Sequence, residues 1–555
     1  MRRAIVFSTV TMFVTGGCVL LEKYDYSGYG GQGNGGAGES SSSSNSSSSS
    51  VSSSGTGGGG GQAQGGAGGN GGGGSGGLMQ CAEICNYMDP PCYGGVDCNV
   101  AASEQNRFGD IYHQQVRAIA TTLDNTLLIA GDYAGSPTFG SAPTLNPPAA
   151  TQFSGFVANV DSIAQGLNAF TTIAYGNTLG VAAVPGGAYT IGVDRAVPVA
   201  QFAVRRFTLA GGITWQHDFG AYKDKSNAFI LSIGNDLDPI YVAGTMVGTL
   251  PFGSSICPTF VDPSNSTSNA NPFVFELNKD SGVCNWGFTL GGGEITGMSL
   301  IDGQLVIVGH YKLNDAIQFM PRESPIGSSA SAGFIAAYRL ASDPLPPTTP
   351  PTLEWVHTYA ATDATGSFFP LAITADGQRT YLTGTVVGRL ALKDPGQTIE
   401  ASATNADMVV MAFDSSSGAR QWAHRIGGLG HQVPQSILKT TKGLLVAGYH
   451  VNTQPMASIG MAIVPDQDQG SLCAGKQRCL FLMKWNDDGT TAWAREFGVE
   501  ETAKDPTVRL AVDTNSLWLA ASREAAIDFK AGGVDLISAG GQDVLVARFD
   551  LNALP

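Results

Sequence analysis

A short phrase that recurs along this chain constrains its fold more than any other feature. Each copy follows an apolar stretch and a tight turn, and it reads tryptophan, three further residues, an aromatic or aliphatic residue, and glycine or alanine. Five copies begin at Trp215, Trp286, Trp355, Trp422 and Trp493, and two shorter copies are Arg107-Phe108-Gly109 and Ala174-Tyr175-Gly176. Self-similarity of this kind indicates a repeat architecture, in which each copy marks the same place in one structural unit.

The units between successive copies have the length and pattern of propeller blades. Closing residues 109, 176, 220, 291, 360, 427 and 498 lie 67, 44, 71, 69, 67 and 71 residues apart, and a last unit of 57 residues has no closing phrase. Each unit contains short apolar or alternating stretches separated by turns such as Asp302-Gly303 and Asp376-Gly377. Four antiparallel strands per unit predict an all-β fold, a β-propeller of four-stranded antiparallel blades.

The number of copies indicates how the ring closes. Six units are complete, the seventh (499–555) has three strands, and the first phrase, Asn106-Arg107-Phe108-Gly109, has no strands before it. This N-terminal strand can complete the last blade, which removes the sheet edges that an open array would expose. We therefore predict a seven-bladed propeller over residues 106–555.

The last unit resembles a known repeat family. Its pattern is Ala521-Ser522, then Ile527-Asp528-Phe529, then Gly540-Gly541-Gln542-Asp543-Val544-Leu545-Val546-Ala547-Arg548-Phe549-Asp550. This is similar to the SBBP-type seven-bladed β-propeller repeats of bacterial secreted proteins and lipoproteins, especially those of myxobacteria. The resemblance covers residues 106–555. It implies the fold, but that family shares no single biochemical activity.

The first 18 residues predict export and lipidation. Two arginines precede a mostly apolar run, residues 4–14, which is too short to span a bilayer. Small residues directly before Cys18 resemble a bacterial lipobox, and this resemblance implies that Cys18 is acylated. Because Thr15 stands where an aliphatic residue is usual, ordinary cleavage and secretion are the alternative. Val19, by resemblance to enterobacterial lipoproteins, favours the outer membrane or cell surface.

A tether and a cysteine-rich knot are predicted to follow. Residues 28–78 are almost only Gly, Ser, Asn, Gln and Ala, and such a segment cannot bury enough apolar surface to fold. We predict a flexible tether over residues 19–78, with a root-mean-square reach of about 40 Å. A stalk with glycosylated serines is the alternative to a plain spacer. Residues 79–105 form the predicted knot.

Eight cysteines besides Cys18 fit an oxidising compartment. The predicted disulfide cysteines are Cys81, Cys85, Cys92, Cys98, Cys257, Cys284, Cys473 and Cys479. The first four form a close group with three connectivities, for which a zinc site is the alternative, although no Cys-x-x-Cys pair is present. The other four give two local pairs, Cys257 with Cys284 and Cys473 with Cys479. The first pair requires a long loop to fold down its blade.

Charge argues against one class of partner. The formal net charge is −15, only 14% of residues are charged, and the cations are not clustered, so we do not expect nucleic-acid binding. We expect a monomer that contacts the membrane through its lipid anchor.

The variable segments indicate where a ligand would bind. They are residues 133–153, 246–271, 311–332, 386–407, 449–478 and 523–541. In a four-stranded meander all of them fall at one end, whereas the tight Asp/Gly turns fall at the other. Binding residues are usually carried by loops on a rigid scaffold, so we predict a protein or glycan ligand on the long-loop face. Tolerated insertion without function is the alternative.

The histidines and tryptophans recur with the repeat, which favours structural roles. His217, His357 and His424 each follow the tryptophan of their repeat by two residues, so a ring places them on different blades. His310 and His450 follow the glycine that ends a second strand, where a polar ring near one rim is the alternative to packing. The tryptophans are expected to pack between adjacent blades.

One loop resembles the beginning of a calcium site. Asp466-Gln-Asp468-Gln-Gly470 resembles the start of a calcium loop, in which alternate carboxylates face the cation. Gln477 stands where that loop needs a bidentate Glu, so the match is partial. Calcium is the only cofactor that the sequence suggests. No other cofactor is predicted.

Binding or scaffolding is the predicted function, and two alternatives stay open. Outside the Gly/Ser-rich tether, the chain lacks Gly-x-Ser-x-Gly, His-Glu-x-x-His, P-loop and dinucleotide motifs. A polysaccharide lyase or glycosidase could still build its site from loop carboxylates. The segment Ala412–Trp422 resembles the repeats of quinoprotein-like propellers, including an outer-membrane assembly lipoprotein. That family usually has eight blades and shorter loops.

Overall fold

A computed structural model describes the repeats and little else of the chain. The described residues are 102–109, 112–136, 153–160, 169–173, 176–195, 200–221, 227–232, 239–247, 270–312, 331–341, 350–363, 366–392, 398–401, 405–427, 430–452, 477–497, 505–524, 527 and 541–554. The predicted signal segment, the tether and most of the knot lie outside them, and so do large parts of the long loops.

Seven blades contain four strands each, and we number the strands in chain order. The first strands are β2 (Gln114–Thr121), β6 (Gly176–Val184), β10 (Asn227–Ser232), β14 (Glu294–Ile301), β18 (Ser367–Ala375), β24 (Gly430–Thr440) and β28 (Thr507–Val512). The second strands are β3 (Leu127–Tyr133), β7 (Gly187–Asp194), β11 (Ile240–Val247), β15 (Gln304–Lys312), β19 (Arg379–Val387), β25 (Gly443–Asn452) and β29 (Ser516–Arg523). Apolar runs buried on both faces, rather than strict alternation, characterise these inner strands.

The outer half of each blade consists of the third and fourth strands. The third strands are β4 (Ser154–Val160), β8 (Gln201–Thr208), β12 (Ala270–Leu277), β16 (Ser331–Arg339), β22 (Asp407–Asp414), β26 (Gln477–Trp485) and β30 (Asp543–Asp550). The fourth strands are β5 (Ala169–Ile173), β9 (Ile213–Ala221), β13 (Cys284–Thr289), β17 (Thr352–Ala360), β23 (Arg420–Ile426), β27 (Thr491–Phe497) and, from the N-terminal side of the repeats, β1 (Glu104–Phe108). A two-stranded hairpin, β20 (Arg389–Ala391) with β21 (Thr398–Glu400), lies between β19 and β22.

The sheets form a closed ring, which confirms the predicted seven-bladed propeller. Each blade is an antiparallel meander, and the seventh has the order β28-β29-β30-β1. Every first strand lies against the first strands of both neighbouring blades, and β28 of blade 7 contacts β2 of blade 1. The first strands therefore line the axis, and the fourth strands form the rim.

The N-terminal strand closes the ring as predicted from the unpaired first phrase. β1 pairs with β30 in a register that runs from Glu104 opposite Arg548 to Phe108 opposite Val544. Phe108 is buried in a cluster that contains Val116 of blade 1 and Trp518 of blade 7. One blade thus joins both ends of the repeat array, and β1 begins slightly before the predicted boundary at residue 106.

One copy of the phrase lies at a different position from the one that the sequence predicts. In the blade that ends with Phe219, that residue pairs with the first phenylalanine of the third strand, Phe202. Ile173 has the equivalent register position in blade 1, opposite Gly155, and Gly176 is already the first residue of β6. The closing position of blade 1 is therefore Ile173 rather than Tyr175, and only two residues separate the end of β5 from the start of β6.

A β-bulge in the first strand links neighbouring blades. Five first strands shift register by one residue, and the residues that precede the extra one are Val116, Thr178, Ile295, Pro370 and Pro434. A bulge leaves a backbone N–H without a partner in the ladder. The preceding blade supplies the acceptor: Ser522 Oγ to Val116 N at 2.6 Å, Asp132 Oδ1 to Thr178 N at 3.0 Å, and Thr245 Oγ1 to Ile295 N at 3.0 Å.

Candidate binding face

The two ends of the ring differ in how much chain they carry. At one end, which we call the long-connection face, second strands lead into third strands through residues 134–153, 195–200, 248–269, 313–330, 388–406, 453–476 and 524–542. Six of these seven connections have about twenty residues each, whereas connections between blades on the same face, such as 290–293 and 427–429, are short. The loop mass therefore belongs to one class of connection.

The opposite end, which we call the turn face, is not built of minimal turns throughout. Most of its connections are tight, and Asn125 and Asp302 adopt positive φ angles of 60° and 45° in two of them. The connection 340–351 between β16 and β17 is an exception, since it has twelve residues and is rich in proline. The predicted asymmetry between the two faces holds with this correction.

Two aromatic side chains stand exposed on the long-connection face of blade 1. Tyr112 precedes β2 and is 48% exposed, and Phe153 precedes β4 and is 46% exposed. Aromatic rings that combine a flat apolar surface with polar edges are well suited to contacts with proteins and sugars. The turn face has exposed apolar residues too, among them Leu123 at 71% and Ile213 at 51%.

Carboxylates just beneath the long-connection face are used in ion pairs within blades. Asp543 and Asp407 begin the third strands of blades 7 and 5, and their Oδ2 atoms lie 2.9 Å from Arg107 and Arg425 on the fourth strands. Both carboxylates are buried, so removing either arginine would leave a buried negative charge without its partner, which is strongly destabilising. These carboxylates hold blade edges together.

The same carboxylates explain the glycine of the recurring phrase. A Cβ atom at Gly109 would lie 2.0 Å from Asp543 Oδ1, and one at Gly427 would lie 2.4 Å from the Asp407 carboxyl carbon. No side chain fits at either position while the aspartate is in place. The end of the phrase is therefore fixed by packing against the third strand.

Two histidines to which the sequence assigned no role lie at the start of first strands and bind the backbone of the preceding blade. His431 Nδ1 accepts a hydrogen bond of 3.0 Å from the N–H of Ala406, and His113 Nδ1 accepts one of 3.2 Å from the N–H of Gln542. Each donor immediately precedes a buried aspartate of the previous blade. The signal was the repeated His-Gln pair at 113–114 and 431–432, but its meaning depends on a neighbouring blade.

His310 and His450 do not belong to one polar ring. His310 comes directly after Gly309, whereas His450 comes two residues after Gly448, so their side chains project from opposite sides of their strands. The His310 ring packs edge-on against Phe369 of the next blade at 4.9 Å, and burial lowers the pKa of His310. Packing between blades was the expected role of His310.

Three of the five tryptophans of the phrase form clasps between blades. The indole N–H donates to a backbone carbonyl in the next blade, from Trp215 to Lys279 at 3.1 Å, from Trp355 to Ser415 at 2.9 Å and from Trp422 to Asp487 at 3.1 Å. Each acceptor lies in the turn between the third and fourth strands. We call this arrangement the tryptophan clasp, and it agrees with the expected packing of tryptophans between blades.

A glycine completes each clasp, and in the Trp355 clasp a histidine joins it. The receiving turns contain Gly282, Gly418 and Gly489 with positive φ angles of 68°, 70° and 86°. A Cβ atom at Gly418 would lie 2.6 Å from Trp355, and His357 Nε2 lies 2.6 Å from the Gly418 carbonyl oxygen. Burial lowers the pKa of His357, which favours the neutral ring. The histidine two residues after the tryptophan is thus structural.

Polar side chains of the first strands are used to join one blade to the next. Thr296 Oγ1 donates to the Pro370 carbonyl at 2.7 Å, and Gln435 accepts from Val508 N at 2.6 Å while donating to the Pro506 carbonyl at 3.0 Å. Arg509 Nε donates to the Arg117 carbonyl at 2.7 Å across the junction of blades 7 and 1. Burial raises the pKa of nearby Asp132, and the Arg117 guanidinium acts in the opposite direction.

Most of the predicted disulfide and metal positions lie outside the described residues. These are Cys18, Cys81, Cys85, Cys92, Cys98, Cys257, Cys473, Asp466 and Asp468. Cys284 in β13 and Cys479 in β26 are both buried. Within the parts of the chain that the structure describes, no group of three or more His, Cys, Asp or Glu side chains could hold a metal ion. In the same parts, no helix is long and apolar enough to cross a membrane.

Comparison with known proteins finds only remote similarity to solved structures. No protein-family model and no curated protein matches this chain. The quinohemoprotein alcohol dehydrogenase of Comamonas testosteroni is 9% identical, with a TM-score of 0.38 over 83% of this chain and 80% of that one. The Dos1 propeller is 8% identical (TM-score 0.35, 80% and 94%), and the phage phi92 endosialidase is 10% identical (TM-score 0.35, 83% and 69%).

Proposed function

We propose that this chain is a cell-envelope lipoprotein whose propeller binds a protein or a glycan on the long-connection face. The observation that carries the proposal is the asymmetry of the ring. Six connections of about twenty residues lie on one face of a closed scaffold, whose own polar side chains are used to join its blades. Loops that are held on such a scaffold can present a specific surface and lose little conformational entropy when they bind a ligand.

The exposed aromatics of blade 1 give the proposal a starting point on that face. Tyr112 and Phe153 leave about half of their surface open to solvent. Buried in an interface, such rings often contribute a large share of the binding energy. A formal net charge of −15 favours neutral or basic partners over anionic polymers.

The N-terminal segments suit presentation at a membrane surface. Acylation at Cys18 would anchor the chain, and the Gly/Ser-rich tether would hold the propeller clear of the lipid headgroups. The SBBP-type resemblance of residues 106–555 supports an extracytoplasmic setting. Disulfides among the eight remaining cysteines would belong to the same oxidising compartment. Labelling with a fatty acid tests the anchor, since Cys18→Ser should abolish the label.

A glycan and envelope-protein binding screen of the full chain tests the function. Because Asp466 and Asp468 resemble part of a calcium loop, the screen is run with and without calcium. Each ligand found is then measured against the double variant Tyr112→Ala/Phe153→Ala, which should weaken binding at least about tenfold. The matched control is Leu123→Ala/Ile213→Ala on the turn face, which should leave affinity unchanged.

Two outcomes would overturn the proposal. One is equal loss of affinity in both double variants, which would indicate that the ring as a whole, not its long-connection face, is required. The other is turnover of a polysaccharide without stable binding of any ligand, which would favour the glycosidase or lyase alternative.

A further inference from the structure

The tryptophan of the clasp is missing from the fourth strand of blade 1, and in blade 7 Glu104 stands in its place. In blades 2, 4 and 5 the tryptophan stands at one register position of the fourth strand, opposite Arg206, Ala337 and Ala412. The equivalent residue of blade 1 is Ala169, which stands opposite Asn159. The boundary between blades 1 and 2 therefore lacks the indole that joins three other pairs of blades.

The surfaces that would receive this indole are nevertheless in place. Tyr189 and Tyr381 pack against Trp215 and Trp422 at 5.9 and 6.2 Å, and Leu128 has the same position in blade 1, three residues before the glycine of its second strand. Phe207 lines the blade 2 side and directly follows the bulge between β8 and β9, as Phe413 does in blade 5. Both walls of a clasp are thus retained.

The receiving turn of blade 2 has the same backbone conformation as the turn that receives Trp422. Gly211 has a φ angle of 85° and Gly489 one of 86°. The N–H of Gly211 donates to the Thr208 carbonyl at 2.8 Å, as the N–H of Gly489 donates to that of Asn486 at 3.0 Å. By this correspondence the Leu209 carbonyl occupies the place of the indole acceptor.

A cleft lies at this boundary. Its walls include Leu128, Val157, Asn159, Ala188, Phe207 and Gly211, and its empty space out to the open mouth is about 270 Å³. The enclosed part has room for about one water molecule. Asn159 is 8% exposed, and its buried Oδ1 atom has no hydrogen-bond partner among the described residues.

We propose that this cleft binds a small flat heteroaromatic molecule with one ring N–H, of the size of indole. The ring would lie between Leu128 and Phe207, over Gly211, where other boundaries place a tryptophan from the chain itself. Its N–H would donate to the Leu209 carbonyl, the equivalent of the Lys279 acceptor for Trp215. A ligand would thus complete an interface that the sequence leaves open.

Calorimetric titration of the full chain with indole tests this site. Indane has nearly the same shape and no N–H, so indole should bind about fivefold more tightly, which corresponds to one ordinary hydrogen bond. The variant Ala169→Trp supplies the indole from the chain, and it should abolish binding and raise the Tm of the free protein. Leu123→Ala, on the exposed turn face, is the control for unspecific apolar binding and should bind indole like the wild type.

A second variant keeps the test decisive if Ala169→Trp does not fold. Ala188→Leu fills the cleft from blade 2 at a position where blades 4 and 6 carry Leu305 and Leu444, and it should also abolish binding. No heat of binding up to the solubility limit of indole would overturn the proposal. So would equal binding to the wild type and to Ala188→Leu, or equal affinity for indane and indole.

Discussion

Thr245 and Thr385 occupy the same position in blades 3 and 5, yet their hydroxyl groups have different surroundings. Thr245 Oγ1 accepts from the bulge N–H of Ile295, whereas the equivalent residue after blade 5 is Pro434, which has no N–H. Accordingly, Thr385 Oγ1 is buried and has no partner in the part of the chain that the structure describes. His310 likewise precedes a blade with proline, Pro370, at this place. Acceptors and bulge residues are therefore matched across blade boundaries.

This matching predicts opposite results for one substitution at two equivalent positions. Thr245→Val should lower the free energy of unfolding by about 1–3 kcal/mol, because a buried N–H loses its acceptor. Thr385→Val should leave it unchanged or raise it by up to about 1 kcal/mol, because a buried hydroxyl without a partner becomes a methyl group. Urea unfolding of both variants beside the wild type measures the difference.

The two variants control each other, since both residues are buried and both changes keep the β-branched shape that strands favour. Equal losses of stability would show that the bulge N–H of Ile295 does not depend on the threonine of the preceding blade.

At the scale of secondary-structure elements, the short strand β1, with only five residues, closes the whole ring. It is the only strand of blade 7 from the N-terminal side of the repeats, and Arg107 and Phe108 attach it to Asp543 and to the core shared by blades 7 and 1. Without it, β30 would present an open edge, and exposed edges promote pairing with other chains.

Deletion of residues 102–109 should therefore destabilise the protein and make it associate. Loss of the buried Phe108 ring alone is expected to cost about 3–5 kcal/mol. Thermal unfolding together with light scattering would report a lower Tm and a larger particle. A synthetic peptide of residues 102–109 should reverse both effects, whereas the same peptide with Phe108→Ser should not. A deleted protein that stays monomeric with the wild-type Tm would contradict ring closure by β1.

At the scale of the whole molecule, histidines that packing partly removes from water couple stability to pH. Five histidines have a pKa below the ordinary value of 6.5, and desolvation is the largest cause for each. They are His217, His310, His357, His424 and His431. The unfolded chain binds protons as the pH falls below 6.5, while the folded chain does so only at lower pH. Their stabilising contribution is therefore complete above pH 6.5 and is lost as the pH falls through and below that value.

The urea midpoint should consequently be lower at pH 5.5 than at pH 7.5. Each histidine contributes at most about 1.4 kcal/mol per pH unit, and less where its ring is partly exposed. The triple variant His217→Gln/His357→Gln/His424→Gln should show a smaller decrease over the same interval. A decrease of the same size in this variant, or none in the wild type, would contradict the assignment.

The sequence by itself determined the all-β class, the number of blades and the closure by an N-terminal strand. These follow from local signals: apolar strand patterns, turn residues such as Asp302-Gly303, and the count of a repeated phrase. The structural roles of the tryptophans and of His357 followed as well, because equivalent residues of the fourth strands lie on different blades, far apart around a ring.

Only the tertiary structure decided which groups meet across blade boundaries. The pairing of Thr245 with a bulge N–H, the role of His431 and the register that places Ala169 opposite Asn159 all join residues that are distant in sequence or set by strand register. Hydrogen bonds of this kind form only once strands are aligned, and a shift of one residue changes which side chains face the next blade. The open position between blades 1 and 2 could therefore be recognised only in the folded ring.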